Sequence, residues 1–195
     1  MPFRRFLAIC SALLCLLPQV LLAQKTGHPL AFDQVLAEAS LEVFEPLDAG
    51  YRPFRPLENE YLNCQFALYS NREDLELRYY VLPWNEQNKL STSPNVATFQ
   101  VLTTVASNAD DALISALQLD PETLQTAFNA DWGMVYFFTP KPAFSTAPSA
   151  KMLAVSKEGK GTAFVFFFFD NPNNPALDNR HWAVRFQGGP TGVQK

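Results

Sequence analysis

The chain has 195 residues, of which 48% are hydrophobic and 17% charged, so it is long enough and apolar enough to bury a core of its own. Its 19 acidic residues outnumber its 15 basic residues, and this negative balance opposes nucleic-acid binding, which needs a basic face, so no nucleic-acid partner is expected. Only three cysteines are present, which excludes a small disulfide-stapled scaffold.

The first 23 residues have the layout of a cleaved secretory signal. Arg4 and Arg5 precede an apolar run, 6–22, and Ala23 is a small residue suited to the position before the cut. The uninterrupted apolar core is shorter than the ~20 residues that cross a bilayer, so a retained anchor is not expected. The sequence therefore predicts a periplasmic or secreted protein, cleaved near Ala23 and without a membrane span after cleavage. Cleavage leaves Cys64 as the one remaining cysteine.

Apolar periodicity predicts the elements of the N-terminal half. An amphipathic helix is predicted from Pro29, because apolar residues recur at helical spacing through Ala39. Residues 41–44 alternate as a short strand does. Two further alternating runs, 62–69 and 75–82, are joined by a polar link and predict a β-hairpin with one buried face.

Helices are predicted in the middle of the chain. Ser93 followed by Pro94 is typical of a helix start, and apolar residues that include Phe99 mark the inward face of the helix that follows. A short helix is expected over 112–119. The sequence Asp-Pro-Glu at 120–122 indicates the start of another helix.

The C-terminal third is predicted to be sheet. Strands are expected over 135–139, 152–156, 162–169 and 180–186, with a glycine-containing hairpin turn between the second and the third. The third strand is apolar throughout and contains four consecutive phenylalanines, so it should be covered on both faces and lie centrally. The last residues, 188–195, are expected to be a disordered tail.

The order of these elements is helix, strands, helices, strands. This order predicts a single α+β domain over residues 24–187, with a mainly antiparallel sheet and helices packed on it.

Two blocks of the chain carry a resemblance. The first contains FEPLDAGY at 44–51 and LELRYYVLP at 75–83, and the second contains FNADWG at 128–133 and AFVFFFFD at 163–170. Together they resemble a group of uncharacterised secreted proteins common in Bacteroidota-type bacteria. The order of elements is also similar to that of PsbP-like α/β/α sandwiches. The second resemblance implies an assembly or binding accessory, and neither one supplies a catalytic residue.

Few side chains in the predicted mature chain are suited to catalysis. His28, Cys64 and His181 do not lie at metal-ligand spacing, so neither a metal nor another cofactor is expected. Cys64 should be inert because it lies on the apolar side of its strand. His181 is expected at the surface or edge of a strand. His181 could still serve a hydrolase together with an acidic partner such as Asp131, although the chain lacks a Gly-x-Ser-x-Gly elbow.

The stretch from Asn129 to Gly133 is the most distinctive short sequence, where a helix meets a strand. One interpretation is a ligand site, with Trp132 as a stacking platform and Asp131 as a hydrogen-bond acceptor. The other is structural: Asn129 or Asp131 would bond open backbone groups at the helix end, Trp132 would cap the core, and Gly133 would supply the turn.

A second group of candidates lies on or beside one face of the predicted hairpin. Arg78, Tyr80 and Trp84 could form a recognition surface for peptide or sugar, because aromatic rings beside an arginine are common in such surfaces. The alternative is that a helix covers them.

The sequence as a whole favours a non-catalytic binding or accessory protein. Its partner would be an unknown protein or small ligand of the envelope, bound through an open apolar patch or a cleft. The alternative is an envelope or extracellular hydrolase that uses His181 and acidic residues. Nothing in the sequence indicates the oligomeric state.

Overall fold

The structure is a computed structural model that describes residues 28–56, 59–181 and 183–188. The predicted leader with its cleavage near Ala23 lies outside these residues, as does the predicted tail beyond Gly188. The helices are α1 (Leu30–Glu38), α2 (Lys89–Thr92), α3 (Pro94–Val105), α4 (Pro121–Thr123, continued by the π-helical segment Leu124–Phe128) and α5 (Ala176–Asn179). The strands are β1 (Leu41–Val43), β2 (Arg52–Pro53), β3 (Phe66–Ser70), β4 (Leu75–Pro83), β5 (Ser115–Gln118), β6 (Trp132–Phe138), β7 (Ser149–Lys157), β8 (Gly161–Phe169) and β9 (Val184–Phe186).

Seven of these strands form one sheet in the order β2-β3-β4-β8-β7-β6-β5, and β1 pairs separately with β9. Every strand pairing in the described residues is antiparallel. The predicted α+β class with a mainly antiparallel sheet is therefore confirmed. The likeness to PsbP-like sandwiches stays a prediction. In the part of the chain that the structure describes, no helix is both long and apolar enough to span a bilayer.

The predicted hairpin and the predicted central strand are both present. β3 and β4 pair with Phe66 opposite Tyr79, and the expected inward residues from Phe66 onward are buried, whereas Leu62 and Cys64 lie before the strand and are partly buried. The first strand begins four residues later than predicted, because Asn59 Oδ1 accepts hydrogen bonds from the backbone N–H groups of Tyr61 and Leu62, both at 2.9 Å, and turns the chain. β8 is buried at every position and lies between β4 and β7.

Two apolar layers cover the two faces of the large sheet. On one face, Phe32 of α1 belongs to the same buried cluster as Leu77 and Phe167. On the other face, Val105 of α3 packs in the cluster that contains Phe166. The alternating side chains of β8 thus reach both layers, which is why an uninterrupted apolar strand is stable at this position.

Three element predictions are wrong in detail. The short helix expected over 112–119 is instead the edge strand β5, because pairing with β6 outweighs the weak helical preference of its alanine and leucine residues. Phe99 lies on the outer face of α3 and is 67% exposed. Ser93 precedes α3 without capping it, since its hydroxyl donates to Leu90 O at 2.9 Å.

The last predicted strand, over 180–186, is shorter than expected. Its first residues continue the turn after α5, and only Val184–Phe186 pair, with β1. The difference matters because it removes His181 from any strand.

Candidate functional site

A lysine lies inside the sheet layer. Lys151 belongs to β7 and shares the inward face of that strand with Leu153 and Val155, and it is only 4% exposed. Its Nζ donates to the backbone oxygen of Leu177 at 2.8 Å and lies 5.3 Å from the centroid of the Phe167 ring. Burial lowers the pKa of the Lys151 ammonium group.

In the described part of the chain, Lys151 has no carboxylate partner at ion-pair distance. Among the ion pairs of the described residues, none includes its Nζ. The charge of the exposed Asp178 favours the protonated lysine but does not outweigh burial. A buried cation with one carbonyl acceptor and no counter-ion is energetically costly, so its presence calls for an explanation.

His181 lies near this lysine and is also buried. It follows α5, and its ring centroid is 5.9 Å from that of Phe128. Burial, together with the charge of Lys151, lowers the pKa of His181 to about 4, and Asp178 opposes this shift. The expectation of a surface or edge histidine on a strand is therefore wrong, because α5 and the turn after it fold this segment against the core.

These side chains line a cleft of about 610 Å³ at the β5 side of the sheet, here called the Lys151 cleft. Its lining residues are Leu117, Leu119, Thr123, Val135, Phe137, Lys151, Asp178, Asn179 and His181. Above a pH of about 5 the histidine is neutral, so the polar part of the lining carries the buried lysine charge and the exposed carboxylate of Asp178, while the rest of the wall is mostly apolar. This arrangement suits a ligand that joins an anionic group to an apolar body.

Arg78 is largely an interior residue that reaches only the wall of the cavity that Cys64 also lines. It is 6% exposed, its Nη1 donates to Phe144 O at 2.7 Å, and its Nε donates to Glu76. The guanidinium carbon lies 5.0 Å from the ring centroid of Phe144 and 4.7 Å from that of Phe168. These contacts account for Arg78 as an interior residue that fixes the segment around Phe144 to the sheet.

The other hairpin candidates are spread along β4. Tyr80 is half-buried and stacks on Phe164, with ring centroids 5.9 Å apart. Trp84 is partly exposed just beyond β4, and its Nε1 donates to Glu86 at 2.9 Å. The Lys151 cleft contains neither of them nor Arg78. A role for any of the three in ligand binding stays a prediction.

The stretch from Asn129 to Gly133 closes the π-helical end of α4. Asn129, not Gly133, supplies the positive φ of 50°, and its Nδ2 donates to Phe186 O at 2.9 Å. Gly133 lies inside β6, where an added Cβ would be 2.7 Å from Leu124 Cδ2, so this glycine permits close packing and does not make the turn.

The two ligand candidates of this stretch lie at the same end of β6. Asp131 is exposed, and its Oδ2 accepts from the backbone N–H of Glu158 at 2.9 Å. Trp132 is partly buried against the layer that contains α3. Asn129 and Asp131 do bond backbone groups, but these belong to β9 and to the turn between β7 and β8, not to the helix end as the structural interpretation expected. Ligand binding by Asp131 and Trp132 stays a prediction.

Cys64 and a cluster of charged side chains lie outside the Lys151 cleft. Cys64 lines a separate cavity of about 570 Å³ with Arg78, and burial raises the pKa of its thiol to about 12. Elsewhere, Glu73 accepts two hydrogen bonds from Arg180, at 2.6 and 3.0 Å, and one from Tyr51 at 2.8 Å. This cluster ties the turn after α5 to the β3–β4 hairpin.

The sequence pattern does not identify Lys151, because it predicts that the strand begins at Met152. The available signal was the two-residue alternation of a strand, since Lys151 continues the series of Leu153 and Val155 on one face.

Among the described residues, no group of three or more histidine, cysteine, aspartate or glutamate side chains is placed to hold a metal ion. Compared with protein-family models and with curated proteins, the chain matches none.

Proposed function

We propose that this protein is a non-catalytic binding protein of the periplasm or of the extracellular medium, and that its ligand occupies the Lys151 cleft. The ligand carries a carboxylate or similar anion on an apolar body. The observation that supports this proposal is the buried ammonium group of Lys151 at the end of an apolar cleft, with a backbone carbonyl as acceptor and no carboxylate at ion-pair distance in the described residues.

The charge balance favours an anion. An ammonium group has three donors, and Leu177 O accepts from one of them. A ligand carboxylate would supply the missing counter-charge and accept from another donor, in a site where low exposure strengthens the bond. Since His181 is neutral above a pH of about 5, it can donate to or accept from the same ligand without adding charge.

The shape of the cleft favours an apolar body behind that anion. Leu117 and Phe137 form an exposed part of the wall, while Leu119 and Val135 are buried beneath them. The volume of about 610 Å³ lies within the range of about 300–1,000 Å³ that is typical of ligand pockets.

A hydrolase that uses His181 is the second candidate. The observation that favours it is the low pKa of His181, which leaves the ring able to act as a general base at neutral pH. Among the described residues that line the cleft, Thr123 carries the one hydroxyl group, so a serine nucleophile is lacking there. The hydrolase would show ester cleavage that requires His181 and falls below a pH of about 4, whereas the binding protein would not turn over.

The test compares decanoate with decanol as probes, measured by calorimetry on the purified protein. Decanoate is expected to bind more tightly, and Lys151→Met is expected to weaken decanoate by about 10- to 150-fold with little change for decanol, because one charge-assisted bond is lost. Lys89→Met, the same change at an exposed lysine, serves as the matched control. Failure of decanoate to bind, or equal binding to wild type and Lys151→Met, would overturn the proposal.

Export is tested separately from ligand binding. Intact-mass measurement of the protein from its native source is expected to find a chain that begins near Gln24. Natural protein that retains Met1 would contradict the export part of the proposal.

A further inference from the structure

One edge of the large sheet carries open backbone hydrogen-bonding groups. β5 is the terminal strand of the sheet order and pairs only with β6 among the described strands. The N–H of Leu119 donates to Gly133 O at 3.1 Å, so in an antiparallel ladder Leu117 and Ser115 also direct their backbone groups to β6. The alternate residues, Ala116 and Gln118, therefore direct their N–H and C=O groups outward.

The side chains around this edge are apolar and exposed. Leu113 is 82% exposed, Leu117 62%, Ile114 48% and Phe137 42%. Leu117 and Phe137 lie on the face that contains the Lys151 cleft, and Ile114 lies on the opposite face. Exposed edges in natural proteins are usually protected by lysine, proline or a bulge, and the four residues of β5 contain neither lysine nor proline.

The charges that flank this edge are all of one sign. From residue 90 to residue 140 the sequence contains no lysine or arginine, whereas Asp110 and Asp111 precede β5 and Asp120 and Glu122 follow it. These four carboxylates lie in exposed residues. The strand is thus an apolar edge between two acidic ends.

We propose that β5 is a docking edge for an extended segment of another protein, which adds to the sheet as a further antiparallel or parallel strand. The segment alternates apolar residues, which contact Leu117 and Phe137 or Ile114, and carries lysine or arginine at its ends. The acidic flanks select this chemistry by charge complementarity. This edge adjoins the proposed ligand site, since Leu117 and Phe137 also line the Lys151 cleft, but the inference depends on the backbone groups of β5 and not on Lys151.

A second copy of the chain is a poorer occupant. Antiparallel pairing of β5 with its own copy would bring Asp110 and Asp111 of one molecule beside Asp120 and Glu122 of the other. Like charges so placed oppose association, and the effect is strongest at low salt. Charge therefore favours a different protein with basic flanks.

The test uses a synthetic peptide of alternating valine and threonine with two lysines at each end, and a matched peptide with glutamates at the ends. The lysine peptide is expected to bind the purified protein at least about tenfold more tightly than the glutamate peptide, with the difference decreasing as salt is added. Hydrogen exchange of wild type is expected to slow at the amides of Ala116 and Gln118 when the lysine peptide binds.

Two variants at one residue separate backbone pairing from side-chain contact. Ala116→Pro removes one outward N–H and is tolerated at an edge because the β5–β6 ladder does not use that donor. It is expected to weaken the lysine peptide by about tenfold or more, while Ala116→Val, which keeps the N–H group, changes its affinity by less than about twofold. The exchange measurement on wild type decides the question even where Ala116→Pro is poorly folded.

Three outcomes would overturn the inference. The first is no measurable binding of the lysine peptide to wild type. The second is binding that leaves the exchange of Ala116 and Gln118 unchanged, which would place the peptide elsewhere. The third is a dimer of the protein alone that Ala116→Pro dissociates, which would assign the edge to a second copy.

Discussion

The burial of His181 has a measurable effect on stability. Burial and the charge of Lys151 lower the pKa of His181 to about 4, whereas an unfolded histidine titrates near 6.5. Between these two values the unfolded chain binds a proton that the folded chain does not. Protonation therefore favours unfolding, and stability is present above a pH of 6.5 and is lost as the pH falls toward 4.

The magnitude follows from the two pKa values. At about 1.36 kcal/mol per pH unit, the difference between them corresponds to about 3 kcal/mol of unfolding free energy. About 2 kcal/mol of this is lost between pH 7.5 and pH 5. Glu73, whose pKa the hydrogen bonds from Arg180 hold below its usual range, contributes at lower pH, so this interval reports mainly on histidine.

The assay is urea unfolding, followed by tryptophan fluorescence, of wild type and His181→Gln at several pH values from 7.5 to 5. Wild type is expected to lose about 2 kcal/mol more than the variant across this interval. Every titratable group other than residue 181 is common to both proteins, so the difference between the two curves isolates the contribution of His181. Equal losses for both proteins would refute the burial and the lowered pKa of His181.

Three other predictions follow from described contacts. Glu73→Gln should lower the unfolding free energy by about 1.5–3 kcal/mol at pH 7, because hydrogen bonds from Arg180 to a charged acceptor are lost. Since the folded pKa of Glu73 is lowered, the denaturant curves of wild type and Glu73→Gln should converge as the pH falls below about 4. Gly133→Ala should lower the unfolding free energy by about 1–3 kcal/mol in the same assay, and adding Leu124→Ala should recover part of it. If the losses of the two single variants simply add, the close contact between residues 133 and 124 is contradicted. Cys64 should react with iodoacetamide at pH 8 at least about 100-fold more slowly than free cysteine, and a comparable rate would show an accessible thiolate.

The local sequence predicted the sheet better than its edge. The uninterrupted apolar run of β8 predicts burial on both faces, and the structure has it. The alternation of β4 predicts burial on one face, whereas Arg78 on the other face is buried as well. The sequence of β5 has residues suited to either a helix or a strand. Its structure depends on pairing with β6, which follows it in the chain, and a local pattern carries no information about that pairing.

The candidate site was less predictable than the fold because its residues come from distant parts of the chain. The predicted strand begins one residue after Lys151, so the inward position of this lysine could not be inferred. The burial of His181 depends on α5 folding against the core, and alternation with Arg185 favoured a polar strand face instead. Arg78 was assigned to the correct face of β4, but the loop residue Phe144 that covers it is 66 positions away.

The position of β8 imposes an order on assembly during synthesis. Among the described strands, β8 alone joins β2–β4 to β5–β7, and it follows all of them in the chain. We therefore expect a nascent chain to have two incomplete sheets until residues 161–169 are available. Each would have an unpaired strand edge and an uncovered apolar face. A chain truncated before Phe169 should accumulate in aggregates or be degraded, and a chain that crosses a membrane N-terminus first should complete its sheet only after the last third has crossed.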